Sequence, residues 1–141
     1  MIGLDSNILA YALDPTFPEH HVAKDAILNL DGWYVNPTVI HEVYHTLVFK
    51  RKMEPTSANK KLVEFLADRR TSFVNQTKLV TVFSLSLASR FNMGGRDSLI
   101  VGCYLHAKVT RILTHDEELL KLKVLRFRGK AVELVDPIRK M

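Results

Sequence analysis

Short apolar runs alternate with helical patterns along the whole chain, and this alternation constrains the fold more tightly than any other feature. Ile2, Gly3 and Leu4 read as a short buried strand, after which Ile8, Leu9, Tyr11, Ala12 and Leu13 recur at helical spacing. That helix ends at Asp14-Pro15, because the residue before a proline is pushed out of the α region. Thr16 is expected to open the next helix, with Glu19 at the capping-box spacing and Val22, Ala23, Ala26, Ile27 and Leu30 as its apolar face. Asp31-Gly32 closes it, and Trp33, Tyr34 and Val35 form a second strand that stops at Asn36-Pro37.

The pattern then repeats. Val39, Ile40, Val43, Tyr44, Leu47 and Val48 make one broad stripe, ended by Lys50, Arg51 and Lys52, whose charge complements the helix dipole. Pro55 restarts the chain, and Leu62, Val63, Phe65 and Leu66 mark a further amphipathic helix. Phe73 and Val74 read as a third strand and Leu79 to Phe91 as a helix. After the Asn92-Met93-Gly94-Gly95 loop, Asp97 starts a helix through Ile100, Val101, Tyr104 and Ala107. Val109 to Leu113 is a fourth strand, Thr114 is expected to cap a short helix with Glu117 in the reciprocal position, and Val132, Leu134 and Val135 form a last strand. Such alternation gives an α/β fold: a mostly parallel sheet of four to five strands with helices on both faces. No repeat or linker divides the chain, and 141 residues make a single domain over 1–141.

Lys and Arg outnumber Asp and Glu by 20 to 15, a formal charge of +5 that suits a polyanionic substrate, nucleic acid above all. The single Cys103 forms no internal disulfide and falls among apolar residues, which points to a reducing compartment and to a core role rather than a nucleophile. No basic n-region precedes an apolar h-region, and no apolar run is long enough to cross a bilayer. A soluble, cytoplasmic protein with no membrane association is expected.

Four carboxylates fall at matching places on this plan. Asp5 ends the first strand, Glu42 lies about a turn into the helix after the second, Asp97 opens the helix before the fourth, and Asp116 follows that strand. Parallel strands direct their carboxyl ends to one edge, where ligands bind in open α/β sheets. Each acid taken alone has an ordinary account as a helix cap, a first-turn acid or a solvated residue. Together they would repel and raise one another's pKa unless a cation sat between them. Oxygen ligands select a hard ion, Mg²⁺ or Mn²⁺, which can activate water and orient a phosphodiester.

The segments LDSNILAYAL, PTVIHEVYHTL, RDSLIVGCYLHA and ILTHDEEL, in this order and spacing, resemble the PIN-domain family, in particular the VapC-type toxin ribonucleases. The resemblance covers nearly the whole chain. It implies a three-layer α/β/α sandwich and Mg²⁺- or Mn²⁺-dependent cleavage of RNA. It also implies that Asp5, Glu42, Asp97 and Asp116 are the catalytic, metal-binding quartet. Ser6, Asn7 and Thr114 match the small polar residues that support such acids. The family further implies a homodimer and a small antitoxin protein that blocks the acidic cleft. RNA processing outside a toxin pair is the neighbouring alternative. The departures are mild: Glu117 and Glu118 add acid after Asp116, and Leu119 stands where an aromatic is common.

One motif competes. His41-Glu42-Val43-Tyr44-His45 is a formal HExxH, in which His41 and His45 would bind zinc and Glu42 would act as the base of a peptidase, with Glu64 as a conceivable third ligand. That reading leaves Asp5, Asp97 and Asp116 without a role. An aspartyl phosphatase would want an acid where Asn7 stands, and a non-catalytic RNA-binding module has no use for the quartet. Basic residues gather at Lys50-Arg51-Lys52, Lys60-Lys61, Arg69-Arg70 and around Arg126, Arg128 and Lys130, but Arg96, beside Asp97, is the best single contact for substrate phosphate. Tyr11, Tyr44 and Phe91 are expected in the core, and no basic cluster interleaves with aromatics in the manner of a base-stacking surface.

Overall fold

A computed structural model describes residues 1–139. Its sheet is built from β1 (Ile2–Leu4), β2 (Trp33–Val35), β3 (Thr71–Phe73), β4 (Arg111–Leu113), β5 (Val124–Phe127) and β6 (Lys130–Val135). The strand order is β3-β2-β1-β4-β6-β5. Every pairing is parallel except that of β5 with β6. The helices are α1 (Ser6–Leu13), α2 (His20–Leu28), α3 (Pro37–His45), α4 (Pro55–Ala67), α5 (Lys78–Phe91), α6 (Gly95–His106) and α7 (Glu117–Leu120).

The chain walks outward from β1 to β2 and β3, then returns to the other side of β1 for β4. Right-handed crossovers therefore carry α1–α4 over one face and α5 and α6 over the other, giving three layers. The interior strands are hydrophobic on both faces, as a covered parallel sheet requires: Leu4, Val35, Ile112, Val132 and Leu134 are all buried. Gly3 has no side chain for a specific reason. A Cβ there would stand 2.8 Å from the Tyr104 ring, so α6 can lie directly on β1 only if position 3 is bare. The Tyr104 hydroxyl, buried with the ring, donates to Leu4 O at 2.6 Å and Tyr34 O at 3.1 Å, fastening α6 across β1 and β2.

Several expectations need correction. The sheet has six strands rather than four to five. The additional strand is β5, which turns back antiparallel through Arg128 (φ 51) and Gly129 (φ 77), two consecutive left-handed residues of the kind that tight hairpins use. β3 begins earlier than Phe73 and ends there, its register set by pairing of Trp33 with Thr71 rather than by its own apolar content. α2 starts at His20, not after Thr16, because Asp14 captures both the Thr16 amide (2.9 Å) and hydroxyl (2.8 Å) in a local turn. α6 begins at Gly95 and carries Asp97 in its first turn. The helical path ends at Lys50 and Arg51 as expected, but its α-helical part stops at His45 and the last five residues, Thr46–Lys50, form a π-helical turn. Cys103 is buried as expected, and burial pushes its thiol up to about 11. Tyr11, Tyr44 and Phe91 pack against the core, and the basic tail continues into residues 140 and 141, outside the described residues.

Candidate active site

β1 and β4 are neighbours, and the chain leaves them in opposite directions, so the crevice above their carboxyl ends is the topological switch point of the sheet. Asp5 and Thr114 are the residues that follow these two strands. The Asp5 amide extends the ladder by donating to Leu113 O at 2.9 Å. The Asp5 side chain then turns into the crevice as the N-cap of α1, with Oδ1 accepting from the Ser6 amide at 2.8 Å. Oδ2 accepts from the Thr114 hydroxyl at 2.6 Å. Thr114 thus does not cap α7. Its hydroxyl is committed to Asp5 and itself accepts from the Asp116 amide at 3.1 Å. The cap is Asp116, whose Oδ1 accepts from the amides of Glu118 (2.8 Å) and Leu119 (3.1 Å).

Glu42 reaches the site from α3. Asn36, fully buried at the end of β2, fixes that helix by accepting from the Val39 amide at 3.0 Å, while its side-chain nitrogen reaches Ile100 O on α6 at 3.5 Å. The helices bearing Glu42 and Asp97 are thereby tied to each other. Arg96 stands between the acids, with its Nε 3.4 Å from Glu42 Oε2 and its own side chain 79% exposed.

The acids are linked by charge through Asp5 and Asp97. Burial lifts the Asp5 carboxyl to about 6; the Thr114 and Ser6 hydrogen bonds oppose this, and the charges of Asp97 and Glu42 add to it. Asp97 is raised by burial first, then by Asp116 and Glu42, with Arg96 countering. Each of the four acids therefore feels or supplies the field of at least one other. Two open depressions flank them. One, of about 400 Å³, is lined by Pro37, Thr38, His41, Glu42, His45 and Arg96. The other, of about 300 Å³, includes Asp97, Glu118, Asn92 and Met93.

Among the described residues, no group of three or more His, Cys, Asp or Glu side chains is arranged to hold a metal ion by itself. This weighs differently on the two candidate ions. A catalytic zinc needs three protein ligands, and His41 and His45 are exposed on α3 without a third, since Glu64 is exposed and does not line the groove between α3 and α4. Mg²⁺ takes one or two carboxylates and fills its shell with water and phosphate. An all-oxygen set around a crevice fits a hard cation of that kind.

The supporting residues act in specific ways. Ser6 contributes its backbone N–H to Asp5, and Asn7 Oδ1 accepts from the His115 amide at 3.2 Å, clamping the loop after β4 to α1. Glu117 pairs with Arg139 and Glu118 with Lys121 at 3.1 Å. Asp136 escaped the sequence reading. It follows β6, is 8% exposed, and binds His115 Nδ1 at 2.8 Å, so a fifth acid stands at the same sheet edge and steadies the residue before Asp116. The signal was present in Leu134-Val135-Asp136, an apolar strand ending in an acid just as Gly3-Leu4-Asp5 does.

The PIN domain profile matches residues 2–125. No curated protein sequence is similar enough to the chain to count as a relative. Among solved structures, VapC20 of Mycobacterium tuberculosis, a toxin that cleaves the sarcin-ricin loop, superposes with a TM-score of 0.76 at 12% identity, covering 91% of this chain and 99% of that one. A chain of the VapBC2 complex of Rickettsia felis, bound to a DNA fragment from its promoter, gives 0.67 at 17% identity over 96% and 98%. A toxin–antitoxin complex from Klebsiella pneumoniae gives 0.67 at 14% identity over 97% and 98%. At these identities the structural likeness speaks for the fold, and the profile match over residues 2–125 speaks for descent: the chain belongs to the PIN domain family.

Proposed function

We propose that this protein is a metal-dependent endoribonuclease that hydrolyses RNA phosphodiester bonds, acting as the toxin of a toxin–antitoxin pair. The observation that supports the reading is the buried Asp5 carboxyl at the switch point, lifted to about 6 and coupled by charge to Glu42 and Asp97, with Asp97 coupled in turn to Asp116. Burying and crowding carboxylates is costly, and a site that does so is built for a cation and a polyanion.

Asp5, Asp97 and Asp116 would hold Mg²⁺ or Mn²⁺, with Glu42 joining directly or through water, and the ion would supply positive charge against the phosphate and a more acidic attacking water. The protein's own contribution is placement. Thr114 and the Ser6 amide hold the Asp5 carboxylate from both oxygens, and Asn7 fixes the loop that carries Asp116. Arg96, exposed at the mouth, meets a substrate phosphate.

Two surfaces support the partners. Leu79, Val82 and Leu85 are each more than half exposed on the solvent side of α5, an apolar strip that a second copy in a homodimer would cover. The groove between α3 and α4, lined by Ile40, Tyr44, Leu62, Val63 and Leu66, suits an apolar segment of a small antitoxin protein. Among the described residues no helix is long and apolar enough to cross a membrane.

The test is cleavage of an end-labelled RNA panel in Mn²⁺, with EDTA and Asp97→Asn as controls. Cuts that disappear in both controls establish the nuclease. Cuts that persist in Asp97→Asn would overturn the assignment of the site, and absence of cutting together with zinc-dependent peptide hydrolysis would return the HExxH reading. Growth arrest on expression, relieved by a small partner protein, separates a toxin from an RNA-processing nuclease.

A further inference from the structure

The two histidines of the HExxH motif have no part in the acidic site, yet they are placed in a row that leads away from it. His41 and His45 are exposed on α3, one turn apart, and line the same depression as Glu42 and Arg96. Phe49 continues the row: it is 60% exposed, and its ring centroid lies 5.1 Å from that of His45 at an interplanar angle of 32°. Packing does not explain Phe49, because Val43 and Leu47 already fill the core from the opposite side of this helix. The π-helical turn explains its position. Four residues of α-helix overshoot one full turn, whereas four residues of the wider π winding fall short of one. The offsets cancel, so Phe49 returns to the side of the helix that carries His41.

Cations frame this row. Arg96 stands at the Glu42 end, and Lys50 and Lys52 are exposed at the far end. Neither lysine forms an ion pair among the described residues, whereas Arg51 is occupied by Asp14 (3.6 Å), the Thr16 hydroxyl (2.6 Å) and the Phe17 ring (4.0 Å). Flat side chains between separated phosphate partners are the composition of surfaces that bind single-stranded nucleic acid by stacking.

We propose that His41, His45 and Phe49 form a strip on which unpaired bases of single-stranded RNA stack, guiding the strand from Lys50 and Lys52 to the acidic site. The proposal rests on the nuclease reading and names the part of the substrate that this face takes. It requires bases with free faces, so duplex RNA gains nothing from the strip.

The experiment is fluorescence anisotropy in EDTA with labelled oligoadenylate, oligouridylate and a short RNA duplex, on the wild type and on Phe49→Ala, His45→Ala, Phe49→Leu and Phe49→Tyr. Removing one ring is expected to weaken oligoadenylate binding roughly tenfold, oligouridylate less and duplex not at all. Phe49→Leu, which keeps apolar bulk, should lose as much as Phe49→Ala, and Phe49→Tyr should restore affinity. Equal affinity of Phe49→Ala and the wild type overturns the strip, as does equal loss on single strand and duplex, or full affinity in Phe49→Leu. Mn²⁺-dependent cleavage by the wild type is measured alongside. If it occurs while the ring variants bind normally, the strip fails and the nuclease stands; if the wild type neither binds nor cuts RNA, the nuclease reading fails and the strip with it.

Discussion

The Thr114 hydroxyl donates to Asp5 Oδ2 at 2.6 Å although 109 residues separate the two in the chain. The contact spans adjacent strands β1 and β4 and is made at the point where both end. Thr114→Val keeps the shape and removes the donor, leaving a buried carboxylate with the Ser6 amide as its remaining hydrogen bond. At neutral pH this is expected to cost about 1–3 kcal/mol of stability and about 10–100-fold in metal affinity or cleavage rate. Thr114→Ser should recover most of both. Urea melts and initial cleavage rates on one labelled RNA, run in parallel, check the pair.

Asp5 also gives the metal-free protein an unusual pH dependence. Burial pushes its carboxyl up to about 6 in the folded chain against 3.8 for an ordinary aspartate, so the folded state binds this proton more tightly than the unfolded state does. Stability contributed by the proton is therefore full below the lower value and is lost as pH rises through the window up to about 6. Asp97 is raised in the same direction, chiefly by burial. Asp5→Asn removes the penalty while leaving an oxygen for the Ser6 amide, and is expected to stabilise the EDTA-treated protein at neutral pH by about 1–2 kcal/mol. Urea midpoints at a series of pH values should fall through this window in the wild type and fall less in the variant. A wild-type midpoint that rises across it would show that Asp5 is ionised more easily than its burial dictates.

Metal should reverse that penalty. An ion that binds only the folded protein stabilises it by about 2.7 kcal/mol at a concentration a hundred times its dissociation constant. Mn²⁺ is accordingly expected to raise the wild-type melting temperature most near neutral pH, where the acids are charged, and little near pH about 4.5. Asp5→Asn and Asp97→Asn should both lose most of the shift. His41→Ala should keep it, since an oxygen-ligated ion makes no use of that imidazole. Thermal melts with and without Mn²⁺ at two pH values suffice.

What the sequence made legible, and what it hid, divides along a physical line. Strand-end acids declare themselves because an apolar run followed by Asp is local, and Asp5 stands where that pattern placed it. Capping partners do not, because a Thr three residues before a Glu looks the same whether its hydroxyl serves its own helix or another strand. Thr16 is taken by Asp14 and Thr114 by Asp5, each by a contact that the spacing does not encode. The π turn after α3 was equally invisible, since a heptad-like stripe through Leu47 and Val48 reads as continuous α-helix. Asp136 shows the reverse failure: its local pattern was plain, but its neighbourhood depended on pairing of β6 with β4, a non-local fact.

The contact between Gly3 and Tyr104 predicts that two small substitutions are strongly coupled. Gly3→Ala places a methyl 2.8 Å from the ring, where α6 must move off β1, and should cost about 1–3 kcal/mol. Tyr104→Phe keeps the packing but strips the donor from the Leu4 and Tyr34 carbonyls, at a comparable cost of about 1–3 kcal/mol. In the double variant the losses should not add, because moving α6 off β1 breaks the same hydrogen bonds that Tyr104→Phe removes. A double-mutant cycle by urea denaturation measures the coupling.

Arg96 allows the two roles of a single charge to be separated. Its pair with Glu42 is long and its side chain is 79% exposed, so Arg96→Ala should change stability by no more than about 0.5 kcal/mol. If Arg96 meets a substrate phosphate, the same variant weakens RNA binding across sequences and lowers the salt slope of log affinity by about 1. Its second role is local: Arg96 opposes the upward shift of Asp97, so its removal raises that carboxyl further. Metal-dependent cleavage by Arg96→Ala should therefore need a higher pH to reach its plateau than the wild type does, because Asp97 must be ionised to serve as a ligand. Arg96→Lys keeps the positive charge and gives up the planar fork, and is expected to retain the salt slope and most of the pH profile while losing some affinity. A variant that alters the pH profile without altering the salt slope would place Arg96 among the acids alone, and one that does the opposite would place it on the substrate alone.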